Sequence, residues 1–231
     1  LNNRITGSFE YFHKVVSDLL AFRKLNSLME VSTIADNIGA TQSTGYEFSL
    51  NTVNLTGPFK WNTTLNISSY NDRWKERNPD VVLAPYEKED APIRAIYGCV
   101  SDGILQIGET PPASMPDLLP GQMKVKDLNG FDPNDGSKLL GHPDGKIDAA
   151  DRIYLGSTDP KVIIGFGNMF EYKNFDLNIF FYGMFGQYVA NSNRAKYGPS
   201  GCEYILQRQN YSKEVLERWT PDNPTNKFPS G

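Results

Sequence analysis

Histidine and cysteine are scarce in this chain, with two of each among 231 residues. The histidines, His13 and His142, have no serine or cysteine motif beside them, so no nucleophile–histidine triad can be drawn. Cys99 and Cys202 are too few and too far apart for a disulfide-stapled scaffold or a zinc site, which needs paired ligands at short spacing. The two thiols can pair or stay free. Basic residues are not in excess either: the net charge is −4, which gives no electrostatic reason to expect nucleic acid as a partner. No stretch approaches the 18 or so apolar residues of a membrane helix, and the sequence from Leu1 shows neither the charged nor the apolar region of a signal peptide. A helical membrane protein is excluded. A membrane β-barrel is not, because a barrel strand meets lipid on one side only and reads as alternation.

What is present points that way. Aromatic residues make up 12% of a chain that is only 39% hydrophobic, and barrels concentrate such residues in girdles at the two membrane interfaces. From Phe59 to Tyr70, Phe59, Trp61, Thr63, Leu65 and Ile67 alternate with Lys60, Asn62, Thr64, Asn66 and Ser68. Period two places the sets on opposite faces of a strand, and the second set suits a water-filled lumen. Tyr46 to Leu55 reads as a strand joined to it through Thr56-Gly57-Pro58, a short turn that completes a hairpin. Arg4 to Val16 is a further strand, with Ile5, Gly7, Phe9 and Tyr11 on one face and Thr6, Ser8, Glu10 and Phe12 on the other. Residues 17–45 read as a strand end and a loop. Val162 to Tyr172 and Phe175 to Gly183 form a second hairpin around Lys173-Asn174, with Phe175, Leu177, Ile179 and Phe181 sharing a face.

Between the hairpins, from Asn71 to Pro160, ten prolines interrupt any long strand or helix. Long loops are uncommon in compact soluble domains but usual on the outer side of membrane barrels, so residues 71–160 are expected to be a long extracellular excursion. Cys202 to Trp219 is expected to hold a helical segment outside the membrane, stopped by Pro221 and Pro224. The strands counted are too few to close a barrel, and open edges in hydrocarbon leave backbone groups unpaired, so the chain is expected to be part of a longer one.

Acidic residues offer one metal candidate. Asp127, Asn129, Asp144, Asp148 and Asp151, with the Lys146 carbonyl, follow the order of a calcium loop, but residues 131–143 interrupt it. The competing reading is a turn-rich loop in which Asp and Asn bond to nearby backbone and Gly145 supplies positive φ. Glu87, Glu89 and Asp90 beside Lys88 read as a solvated run, not a glycosidase pair. Trp74, Tyr86 and Tyr97, with Tyr197, are the candidates for ligand binding, since such rings give rigid contact area with a polar tip. Trp74 follows directly on a strand and reads as a girdle residue. The sequence contains no sign of enzymatic chemistry.

Several segments in one order resemble the SusC/RagA family of TonB-dependent outer-membrane transporters. They are LNNRITGSFEYFHKVVSDLL, NIGATQSTGYEFSLNT, FKWNTTLNISSYND, YGCVSDGILQIGE, LPGQMKVKDLNG, PDGKIDAADRIYLGSTDPKVIIGFGNMFEYKNFDLNIFFYGMFG and LERWTPDNPTNKFP. The specific element is D-G-x-I-D-x-x-D-R followed by G-S-x-x-P. The resemblance implies an all-β fold: part of an antiparallel transmembrane barrel, with strands in about 1–70 and 161–186, loops in about 71–160, and a loop and helical segment in about 187–231. It further implies a plug domain and final strands outside this sequence, TonB as the energy source through that plug, outer-membrane lipid around the barrel, and a SusD-like surface lipoprotein. Uptake of oligosaccharides or peptides would be the function, with no cofactor required beyond a possible calcium ion. The rival reading is a soluble, calcium-stabilised β-sandwich that binds carbohydrate at the cell surface. Side-chain direction separates the two: a barrel turns Trp61, Leu65, Leu177 and Phe181 outward, and a sandwich buries them.

Overall fold

The computed structural model describes residues 3–24, 33–79, 81–197 and 211–230. Two compact units divide the chain. The first comprises residues 1–83, 87–96 and 156–188, and the second comprises 84–86, 97–155 and 189–231.

The first unit contains β1 (Ile5–Val16), β2 (Leu20–Lys24), β3 (Thr33–Asn37), β4 (Ala40–Thr56), β5 (Phe59–Glu76), β12 (Val162–Tyr172) and β13 (Phe175–Phe185). Five of these form one antiparallel sheet in the order β1-β4-β5-β12-β13. Its register follows from the alternation, because a one-residue slip would exchange the faces of a whole strand. Phe9 lies opposite Phe48, Phe48 opposite Ile67, and Ile67 opposite Ile164. A second apolar row runs Leu50, Leu65, Phe166, Phe181. These rows are uncovered: Phe9 is 69%, Phe181 61% and Leu177 55% exposed. That overturns the soluble sandwich, which would have packed this face against a second sheet.

The opposite face carries Ser8, Ser49, Asn66 and Gly165 in one row, and Glu10, Glu47 and Ser68 in the next. Ser8 and Ser49 hydroxyls hydrogen-bond across it at 2.8 Å. Gly45 is required here by close approach: a Cβ would lie 2.4 Å from the Ser69 carbonyl oxygen and 2.7 Å from the Phe12 ring.

Aromatic side chains bracket the apolar face. Near the short turns, Phe59 and Phe170 stack at 6.0 Å, Trp61 and Phe170 at 5.8 Å, and Phe59 meets Tyr172 at 6.5 Å. Trp61 Nε1 donates to Asn168 Oδ1 at 2.9 Å, satisfying the indole N–H. Farther along, Tyr11 and Tyr46 pair at 6.4 Å, with Tyr46 beside Ser69 of β5. The eight residue steps from Trp61 to Ser69 span roughly 26 Å along the strand. At the roughly 35–45° tilt of barrel strands this is a height of about 20 Å, the same order as the apolar band of an outer-membrane barrel, about 25 Å tall.

The two short connections, Gly57-Pro58 and Lys173-Asn174, lie at one end of the sheet, where Lys173 adopts φ 53°. The chain leaves β5 and re-enters at β12 at the other end. Residues 17–45 differ from the loop expected of them. They hold the β2–β3 hairpin, and β4 already begins at Ala40. β5 continues to Glu76 and so takes the first six residues of the expected excursion.

The second unit is a packed body in place of a structureless loop. β7 (Ser101–Ile104) pairs with β8 (Met123–Val125), and β9 (Phe131–Asp132) with β10 (Asp135–Leu139), while β6 (Ala95–Gly98) and β11 (Ile153–Ser157), which pair with each other, each have residues in both units. Its interior holds Ile104, Leu105, Trp219 and Phe228. Trp219 Nε1 donates to Gln106 Oε1 at 2.9 Å, and the Ile104 N–H donates to Asn226 Oδ1 at 3.2 Å, so polar groups at this core are satisfied. Of the helical segment expected at Cys202–Trp219, residues 202–210 lie outside the described ones, and Lys213–Glu217 forms a 3-10 turn. A short helix, α1, spans Ser192–Tyr197. Cys99 is a free, exposed thiol.

Candidate functional site

Two places gather functional side chains, one in each unit. On the polar face of the sheet, Ser8, Glu10, Glu47, Ser49, Asn66 and Ser68 line a concavity of about 410 Å³. Phe180 and Tyr182 of β13 border it. Glu10 lies directly opposite Glu47. Like charges in that position repel and destabilise a strand pair unless water screens them, so this face is built to be wet.

Trp74 belongs to the same unit. By strand parity it shares the face of Tyr70 and Asp72, which places it on the polar side and not in the girdle. Its ring centroid lies 5.4 Å from the Arg77 guanidinium, and its backbone N–H donates to the Ala91 carbonyl at 3.2 Å. Arg77 also pairs with Glu87 at 3.7 Å, and Arg73 with Asp90 at 3.6 Å. The acidic run at 87–90 therefore serves to hold the chain against β5. His13 bonds Thr44 Oγ1 at 2.9 Å, and His142 bonds the Pro143 carbonyl at 3.0 Å. Both histidines have structural partners.

In the second unit the five candidate calcium ligands converge on one loop, as acceptors of backbone N–H groups. Asp151, fully buried, accepts from Leu128 at 2.7 Å and Asn129 at 3.2 Å through Oδ1, and from Asp148 at 2.8 Å through Oδ2. Asp148 caps Ala150 at 2.7 Å, which completes a capping box around the 3-10 turn Ala149–Asp151. Asp127 accepts from Asp144 and Gly145, Asn129 from Gly130 and Gly141, and Asp144 from Lys146. Among the described residues no three acidic, histidine or cysteine groups surround a common point. The five side chains serve in this structure as a hydrogen-bonded lock. Its tightness shows at Gly130, where a Cβ would lie 2.4 Å from that of Asp144.

The lock ends in Arg152, whose Nη1 donates to the Tyr86 hydroxyl at 3.2 Å. Tyr86 meets Tyr97 at 5.3 Å, and Tyr97 meets Tyr154 edge-on at 6.0 Å. Two residues singled out from sequence, Tyr86 and Tyr97, are thus brought together. Arg152 and Tyr154 were missed, although both lie inside the D-G-x-I-D-x-x-D-R block or two residues beyond it. The Tyr197 side chain lies outside the described ones.

No family model matches the chain. Over 238 residues it is 30% identical to the TonB-dependent receptor P26 of Formosa agariphila, with 99% of this chain and 23% of that protein covered. It is 25% identical over 221 residues to the TonB-dependent receptor SusC of Bacteroides thetaiotaomicron, covering 94% of this chain and 21% of that protein. The structure of the RagAB peptide transporter matches with a TM-score of 0.68 at 16% identity, over 99% of this chain and 24% of that one. This last likeness is one of fold. The chain spans about a quarter of the length of the relatives it matches.

Proposed function

The chain is homologous to part of the SusC/RagA-type TonB-dependent receptors, which reside in the outer membrane, and from that premise we propose that it forms a stretch of barrel wall with its outer loops in a nutrient importer. The observation that carries the reading is the sheet with two solvents: apolar rows left uncovered between two aromatic bands on one face, and serine, asparagine and glutamate on the other. A lipid-facing exterior and a wet lumen account for both. The substrate is an oligosaccharide or a peptide, the latter being what RagAB transports. A SusD-like lipoprotein shares its capture, and energy arrives from TonB through a plug domain. The chain's work is recognition and passage, without covalent chemistry.

Detergent dependence tests this reading. Circular dichroism and sedimentation of the purified chain are expected to show β-structure and a defined size only with a mild detergent, because water-soluble monomers tolerate only a few hundred Å² of contiguous apolar surface. A monomeric chain that melts cooperatively in buffer would sink the proposal.

A further inference from the structure

We propose that Arg152, with Tyr86, Tyr97 and Tyr154, forms a binding site for a sugar acid, the carboxylate-bearing ring of an oligosaccharide. The proposal rests on the import reading and specifies its substrate. Arg152 sits where its backbone is fixed. Its N–H donates to the Ala149 carbonyl at 3.3 Å, and the residue before it is the buried Asp151, which holds three backbone amides. The lock thereby acquires a purpose, since a binding group is most effective when its own support is rigid.

At the end of that support stands a guanidinium with no carboxylate partner among the described residues. Its neighbours are Tyr86, by hydroxyl and by ring at 5.9 Å, and the Cys99 side chain. Arg152 is exposed, and a guanidinium has five N–H donors arranged as a fork that fits a carboxylate through two parallel bonds. The tyrosines supply the other half of the site. Tyr154 is 49% exposed, and the rings, tilted at 5.3 Å and edge-on at 6.0 Å, form an aromatic cluster whose side chains carry hydroxyls. A sugar acid answers both parts within one residue, because its carboxylate is borne by the same ring whose C–H face packs on an aromatic side chain. A peptide meets the fork through its terminus or an acidic side chain, and must pack the rings with a different side chain.

The test is calorimetric titration of the full receptor in detergent with three probes: a trigalacturonate, its methyl ester, and a tripeptide with a free C-terminus. The acid is expected to bind at least tenfold more tightly than the ester. Arg152→Gln is expected to weaken acid binding on the order of ten- to a hundredfold, the range of a lost charge-assisted hydrogen-bond pair. Arg152→Lys, which keeps charge but loses the fork, should fall between. Tyr86→Phe removes only the hydroxyl that steadies the guanidinium, and should weaken binding a few-fold; with Arg152→Lys it carries the test if Arg152→Gln misfolds. Equal binding of acid and ester by the wild type, binding of the tripeptide alone, or unchanged affinity in Arg152→Gln would each overturn the proposal. Uptake of the same probes by cells with and without the receptor keeps the two readings apart. Arg152-dependent binding without receptor-dependent uptake defeats import and leaves the site standing, and receptor-dependent uptake that Arg152→Gln does not alter defeats the site alone.

Discussion

The sheet and the loop unit place their large apolar side chains in opposite positions. In the loop unit Trp219 is 5% exposed, and it lies among Leu105, Ile104 and Phe228 in a small interior with its indole N–H satisfied. In the sheet Trp61 is 36% exposed, and Phe170 and Leu177, next in its row, have no second sheet over them. A chain folding against water alone has no reason to leave the second arrangement, because each uncovered side chain forgoes about 1.5–3 kcal/mol of burial. The difference identifies two solvents. The loop unit is organised for water, and one face of the sheet is organised for hydrocarbon.

Substitutions can break this comparison. The largest effect is expected in the loop unit at Asp151→Ala, which leaves three part-buried backbone N–H groups without their acceptor. At about 1–3 kcal/mol for each unsatisfied group, and with partial relaxation, the cost is roughly 3–5 kcal/mol. Hydrogen exchange at the Leu128 and Asn129 amides of the receptor should quicken correspondingly. Added calcium should leave that exchange unchanged, and protection by calcium would show that the loop can be drawn into a cation cage.

In the sheet, Leu65→Arg is expected to cost about 2–4 kcal/mol when the receptor is refolded into lipid vesicles under urea, the penalty for a cation in the middle of a barrel's outer face. Asn66→Arg, one residue along and on the wet face, should change stability by about 0.5 kcal/mol or less. Equal penalties would remove the distinction between the faces.

The smallest effect concerns pH. A hydrogen bond from Lys124, and then one from the Gln106 N–H, hold the Glu109 carboxyl below its ordinary range. Its folded-state pKa is depressed, so the stabilisation it brings is fully present above the unfolded value, about 4.3, and is lost as pH falls through the folded value. Protection of the Gln106 amide, its exchange rate set against the intrinsic rate at each pH, should therefore fall below about pH 4 in the wild type. In Glu109→Gln that acid-dependent loss of protection should disappear.

Much of the sheet was legible because lipid and lumen impose period two. Val162–Tyr172 falls where the alternation placed it, and the faces of β5 and β13 are those read from parity. The signal fades where strands pass beyond the membrane. Asn71-Asp72-Arg73 has no apolar set to alternate with, so β5 runs to Glu76 unannounced, and Ala40–Gly45, small and polar, hid the start of β4. Trp74 was legible by the same parity, and its adjacency to a strand end misdirected the reading toward the girdle. In the loop unit the individual turn residues could be read, since Asp, Asn and Gly state their local chemistry. That Asp151 would also hold the amides of Leu128 and Asn129, more than twenty residues away, could not. Nor could the meeting of Tyr86 with Arg152, which is set by packing between segments distant in sequence.

Adjacent residues of one strand are expected to meet different solvents, and β13 offers the simplest test. Spin labels attached singly at positions 177 and 178 of the full receptor in lipid vesicles would be compared for collision with oxygen, which concentrates in hydrocarbon, and with a water-soluble nickel chelate. The label at 177 is expected to be relaxed by oxygen and shielded from nickel, with a weaker oxygen effect and measurable nickel access at 178. Equal accessibility of the two labels to both reagents, or the reverse order, would contradict it.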